Sequence, residues 1–237
     1  MIIGLPRRRS WRGWFYFAHL WLGIFVALQL LLWTISGLVM TAWPIETIRG
    51  EPLRREVTAP DLRSAGPLLP LDQLVAASAR PVDSATLVSL LGAPTYRLQQ
   101  GKDVWLIDAR SGAQRPVTAA DALALAHAGT TLTGAAAVTP LDPANPPLEL
   151  RRNVPGWRVA FADGTRVYIG ADGAILSIRT GLWRLFDFFW GLHILDPVGR
   201  EDSHHPLLIG SAVLAIASVV SGIVLIFVYF SRGRRRR

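Results

Sequence analysis

The chain has 237 residues, of which 51% are hydrophobic and 18% charged; it has no cysteine, and its mean hydropathy is +0.32. A soluble enzyme of this length carries about 25% charged residues, so the balance counts against a soluble globular protein and points to a membrane protein with one modest water-exposed domain. The missing cysteines exclude disulfides, thiolate metal sites, iron–sulfur clusters and covalently attached c-type haem as features of this chain.

The net charge of +8 is a matter of position. Arg7, Arg8, Arg9 and Arg12 precede the first long apolar run, and Arg232 and Arg234 to Arg237 follow the last. The sequence between these flanks holds 16 basic residues and all 17 acids. Two arginine clusters beside apolar helices form the positive-inside pattern, not a nucleic-acid footprint, so no nucleic-acid partner is expected.

Residues 13–45 contain no Asp, Glu, Lys or Arg. About 20 apolar residues cross the hydrocarbon, so after a basic cytoplasmic segment (1–13) the chain is expected to span the membrane over 14–42. The apolar core is too long for a cleavable signal peptide, and no clear A-x-A site follows it. Trp11, Trp14 and Tyr16 at one end and Trp43 at the other suit the two interfaces. Residues 43–69, rich in Pro, Arg and polar residues, read as a linker.

A water-exposed domain is expected over 70–180. Leu71 to Ala79 has helical apolar spacing, and Ala85–Leu91, Thr95–Leu98 and Asp103–Asp108 read as short strands with a turn at Ser111-Gly112. Thr118-Ala-Ala-Asp121 resembles a capping box and opens a helix that stops at Gly129. Gly156–Phe161, Arg166–Gly170 and Ala174–Ile178, joined by Asp163-Gly164 and Asp172-Gly173, form an antiparallel meander. The fold class is therefore α+β, with helices packed on antiparallel sheet, and helix-then-strands is one unit used twice. Residues 181–205 follow as an aromatic interfacial helix and loop, because Leu182–Leu195 is too short and too charged to span. A second span occupies 206–231, and 232–237 returns to the cytoplasm.

Three stretches together resemble the PepSY-associated transmembrane family. The first is His19-Leu-Trp-Leu-Gly23 through Gln29, Trp33, Ser36 and Gly37 to Arg49-Gly50-Glu51. The second is Pro155-Gly-Trp-Arg-Val159, Thr165 to Tyr168 and the Asp172-Gly173 turn. The third is Phe186-Asp-Phe-Phe-Trp-Gly-Leu-His193, Glu201-Asp202, His205-Pro-Leu-Leu208 and Ser221-Gly222. The resemblance implies a PepSY-like periplasmic domain enclosed by transmembrane helices of a bacterial inner membrane. It also implies kinship with larger four-span relatives that include haem-containing ferric-siderophore reductases; this chain has two spans.

An ionisable side chain inside a membrane is a functional candidate. His19 shares one helix face with Gln29, Trp33, Ser36 and Met40 at 100° per residue. That face meets a cofactor or quinone, with His19 as an axial ligand of haem b, or else His19 and Gln29 hydrogen-bond across a helix contact. His193 and His205 are candidates for a haem or metal at the opposite boundary, or else pair with Asp187, Asp196, Glu201 or Asp202. A hydrocarbon core about 30 Å thick keeps His19 from sharing a haem with either, so its second ligand must come from a second copy or another membrane subunit. Ser211, Ala215, Ser218 and Gly222 share one face of the second span and suit close helix packing. His127 reads as structural. No phosphate loop, dinucleotide fingerprint, HExxH motif or nucleophile elbow is present.

Two functions follow as expectations. One is a redox subunit that binds haem b and passes electrons to a periplasmic acceptor such as a ferric chelate. The other is an accessory subunit whose domain engages a periplasmic protein, with Trp157 and Tyr168 on the docking face.

Overall fold

The long charge-free runs form long helices. In the computed structural model, which describes residues 11–56, 65–76 and 78–234, α1 covers Trp11–Thr41 and α6 covers Pro206–Arg234. Their apolar stretches, Gly13–Thr41 and Pro206–Ser231, are 29 and 26 residues long. At 1.5 Å per residue both exceed the roughly 30 Å of a bilayer core, so both are long and apolar enough to cross one. Between them lie α2 (Ile45–Ile48), a 3₁₀ turn (Glu51–Leu53), α3 (Leu71–Ala76), strands β1 (Ser84–Leu90), β2 (Ala93–Gln100) and β3 (Asp103–Asp108), and α4 (Ala119–Gly129). Strands β4 (Ala136–Leu141), β5 (Gly156–Phe161), β6 (Arg166–Gly170) and β7 (Ile175–Arg179) and helix α5 (Gly181–His193) follow. The chain divides into a helix unit, 1–43 with 185–237, and a central unit, 44–184, so the boundary falls within α5.

In the helix unit α1 and α6 pack on each other. Most of their large apolar side chains are exposed, which suits a lipid solvent rather than water. What they bury is small or polar. Ser211 and Ser218 of α6 are buried one heptad apart, and Val26, Gln29 and Ser36 are the buried residues of α1. Small side chains let helix axes approach, and dispersion contacts then hold them.

The central unit is α+β, as the alternation implies. Its two sheets are antiparallel meanders, β1-β2-β3 and β4-β5-β6-β7. Each follows a helix. Leu74 of α3 packs with Tyr96, Leu98, Ile107 and Ala109 in one core. Ala122 and Ala126 of α4 pack against Val159, Phe161, Val167, Ile169 and Ile178 in a second core, which Leu90 and Leu106 of the first sheet complete. The other face of the second sheet is also covered, by Leu150 and Leu141 around Tyr168. At the Asp163-Gly164 and Asp172-Gly173 turns the glycine takes positive φ (81° and 78°) while the preceding Asp accepts from the backbone N–H two residues on. That is a type I turn closed by a left-handed residue, a three-residue hairpin pattern.

Two differences from the sequence reading have physical causes. β4 carries Ala136, Ala137 and Pro140, so it has little β signal. Pro140 is tolerated because β4 is an edge strand, paired only with β5. The stretch read as the start of a linker is docked. Ile48 is 1% exposed, Arg55 N–H donates to Gly129 O at 2.9 Å, and Thr131 N–H donates to Leu53 O at 2.9 Å. Residues 57–64 of that linker lie outside the described residues.

Candidate functional site

The helix unit brings His19 to α6 and His193 to α1. His19 Nδ1 lies 2.7 Å from Ser221 Oγ. A Cβ on Gly222 would sit 3.3 Å from Cε1 of the same ring, so glycine is what admits the imidazole to the α6 backbone. His193 repeats the arrangement. Its Nδ1 lies 2.9 Å from Ser36 Oγ, a Cβ on Gly37 would sit 3.7 Å from its Cε1, and the Trp33 ring lies 6.1 Å away, centroid to centroid. Each histidine is thus seated on a Ser-Gly step of a neighbouring helix.

The serines engage Nδ1 of both rings. Ser221 Oγ also lies 2.9 Å from Ser218 O, and Ser36 Oγ lies 2.8 Å from Leu32 O, so each hydroxyl sits between a carbonyl of its own helix and an imidazole nitrogen. No hydrogen bond reaches Nε2 of either ring among the described residues. Nε2 is therefore the nitrogen each ring leaves unengaged, and histidine ligates metals through such a nitrogen in its neutral form. Seventeen residues of α1 separate His19 from Ser36, about 26 Å of helix, so the two sites lie at different levels.

His205 is arranged differently. Its Nδ1 accepts from Leu207 N–H at 3.3 Å, so its lone pair is engaged and the proton sits on Nε2. It helps to start α6 and does not fit as an Nε2 ligand. No hydrogen bond or ring contact joins it to His193 among the described residues, and no group of three or more His, Asp or Glu forms a metal cluster there. Of the carboxylates expected near these histidines, Asp187 pairs with Arg200 at 2.9 Å, while Asp196 lies within electrostatic reach of His205; the Gly199 N–H bond first, and His205 as a smaller contribution, hold the Asp196 carboxyl below the usual range.

Gln29 and Trp33 occupy the level between the two histidines. Gln29 is 8% exposed, and neither its amide nitrogen nor its amide oxygen has a hydrogen-bond partner; Trp33 Nε1 is also buried and unpartnered. His19 does not bond Gln29. Of the small-residue face, Gly222 lies under His19, and Ser211 donates to Leu208 O at 2.8 Å. Ser221 and Gly37 were not singled out as site residues by the sequence. The available signal was that each long helix carries one Ser-Gly step.

The central unit has a different polar centre. The Glu149 carboxylate receives Arg166 at 2.8 Å, Arg184 at 3.3 Å and the Tyr168 hydroxyl at 3.1 Å. Burial, then the Glu149 charge, pushes the Tyr168 phenol up to about 12. Tyr168 is fully buried, and Trp157 is half-buried with Nε1 donating to Val117 O at 2.8 Å. Their alternation puts them on opposite faces of the sheet, so they do not make a docking face. His127 Nδ1 donates to Leu132 O at 3.1 Å, a structural role.

No family model, curated protein or solved structure matches the chain.

Proposed function

We propose that the chain is a two-span inner-membrane subunit of an electron-transfer assembly, akin to the PepSY-associated transmembrane proteins. Its termini are cytoplasmic, its central unit is periplasmic, and it delivers electrons to a periplasmic acceptor such as a ferric chelate. The observation that carries this reading is the pair of imidazoles, each held at Nδ1 by a serine and with no hydrogen bond to Nε2 among the described residues. Two such groups at separate levels of an apolar helix pair suit two cofactors across a bilayer.

His19 and His193 are the residues that would hold haem b, one at each level, and haem would supply reversible one-electron chemistry there. Ser221 and Ser36 hold the direction of each ring, as outer-shell partners of ligating histidines do. Further ligands would come from a second copy or another membrane subunit. Gln29 and Trp33 offer uncommitted N–H groups and a carbonyl between the levels, available to a polar cofactor edge or an internal water.

The test is an absorbance spectrum, oxidised and dithionite-reduced, of the full chain purified in mild detergent with its partners. Haem b bands are expected. His19→Ala and His193→Ala should each remove part of the haem, and the double variant all of it. His205→Ala should leave the spectrum unchanged. A colourless complex overturns the reading and leaves a membrane-anchored subunit that binds a partner protein.

A further inference from the structure

The central unit carries a second, independent feature along the outer edge of β3. That strand ends its sheet. Leu106 C=O accepts from Arg115 N–H, and Asp108 N–H donates to Ala113 O, both at 2.9 Å and both on the side away from β2. Backbone direction alternates along a strand, so Val104 N–H, Val104 C=O and Leu106 N–H face the same way. None of the three has a partner outside the sheet among the described residues; Leu106 is only 3% exposed, so the accessible pair is the N–H and C=O of Val104. An unpaired edge of this kind is a template for another strand.

The space beside that edge is a trough. Four consecutive residues, Val104 to Ile107, line a cleft of about 610 Å³ whose far wall includes Leu141 and Trp157. A neighbouring cleft of about 380 Å³ shares Arg80, Val104, Pro155 and Ala171 with it, so the two are continuous. The second cleft is the charged end. Arg80, Lys102 and Arg152 line it with Asp103 and Asp172. Asp172 is paired with Arg97 at 3.4 Å, whereas Lys102, Arg152 and Asp103 have no ion-pair partner among the described residues. The trough therefore has a stretch of mixed polar and apolar lining beside the free backbone groups, and an end where three cations meet two carboxylates, one of them already paired with Arg97.

We propose that this trough binds an extended polypeptide segment that carries a carboxylate. The segment pairs with β3 at Val104, the accessible residue of the edge, lays alternate side chains toward Trp157, and sets its carboxylate against Lys102 and Arg152. Backbone pairing supplies the affinity that does not depend on side chains; the apolar wall and the cations supply specificity. The cationic residues and the edge all belong to the central unit, so the outcome does not depend on haem.

The probe is a fluorescein-labelled hexapeptide, Thr-Val-Thr-Val-Thr-Glu, titrated against the full chain in nanodiscs and followed by anisotropy. A C-terminal amide of the same peptide, and an amide with Gln in place of Glu, separate the terminal carboxylate from the side-chain one. Saturable binding is expected, at least ~10-fold tighter for the acid than for the neutral peptide. Lys102→Glu with Arg152→Glu should erase that ratio. Val104→Pro removes an edge N–H and should weaken all three peptides about 10-fold or more. A probe N-methylated at alternate residues tests the same pairing without altering the protein, and it should not bind. The proposal is overturned by no saturable binding up to about 1 mM, by equal binding of the N-methylated probe, or by an acid preference that survives the charge reversal.

Discussion

A histidine on an apolar helix pair is informative through the partner its ring takes. Here two serines take that place. Each also reaches a carbonyl of its own helix and meets an imidazole Nδ1. The serine that meets His19 is 202 residues away in the chain, and the one that meets His193 is 157 away. No local pattern carries that information, so the sequence could nominate His19, Gln29, Trp33 and Ser36 by helical angle but could not pair them. The glycines carry the complementary prediction. Gly222→Leu places a side chain against the His19 ring, whereas Gly210→Leu enters open space. The first should destabilise the detergent-solubilised protein by about 1–3 kcal/mol through overpacking, and the second should stay within about 0.5 kcal/mol; thermal unfolding followed by circular dichroism separates them. Tyr168 gives a third residue-scale test. Its phenol is raised to about 12, so the stability tied to it is complete below the unfolded value near 10 and is lost as pH rises toward 12. Tyrosinate absorbance of the folded protein should show a step near pH 12, and Tyr168→Phe should remove it.

Elements were legible wherever the local signal and the tertiary demand agreed. The capping box is one case. Thr118 accepts from Asp121 N–H at 3.1 Å, and Asp121 accepts from Thr118 N–H at 3.0 Å. Asp does here what Glu usually does, because Arg115 also holds its carboxylate at 3.0 Å. These bonds, Arg115 first, bring the Asp121 carboxyl down to about 2. A depressed carboxyl contributes stability above its unfolded value near 3.9, and that contribution is lost as pH falls toward 2. Asp121→Ala should therefore cost about 1–2 kcal/mol at pH 7, and the gap between variant and parent in chemical denaturation should close as pH approaches 2. The meander was legible because Asp-Gly turns and alternation coincide. β4 was not, since an edge strand of small residues with Pro140 is held by its pairing with β5 rather than by its own preference. The docked stretch 45–56 was hidden for a similar reason. Its composition suits a linker, and it is held down by tertiary contacts: Arg55 and Leu53 bond the backbone of Gly129 and Thr131, Arg54 bridges Thr130, and Leu53 packs against the second core.

At the scale of the whole molecule the question is which side of a bilayer each unit meets. Two helices of this length would enter a membrane readily, but length fixes no direction. The proposed direction rests on charge: the two flanks hold nine arginines and no acid, while the stretch between them is close to neutral. Under the positive-inside rule, two spans with such flanks would put both termini on the cytoplasmic side and residues 44–205 on the other. The absence of cysteine makes this testable without background labelling. Single-cysteine variants Trp11→Cys, beside the first arginine cluster, and Ser111→Cys, on an exposed turn of the central unit, report on the two faces. In intact cells with a permeabilised outer membrane, a membrane-impermeant maleimide should label Ser111→Cys at once and Trp11→Cys only after lysis. The reverse order would invert the chain and move the β3 trough to the cytoplasm. It would also leave the two histidine levels where they are, because their separation of about 26 Å along α1 is a property of the helix and not of its direction. The electron-transfer reading therefore survives an inversion of topology in its geometry but not in its acceptor, which would then have to be cytoplasmic.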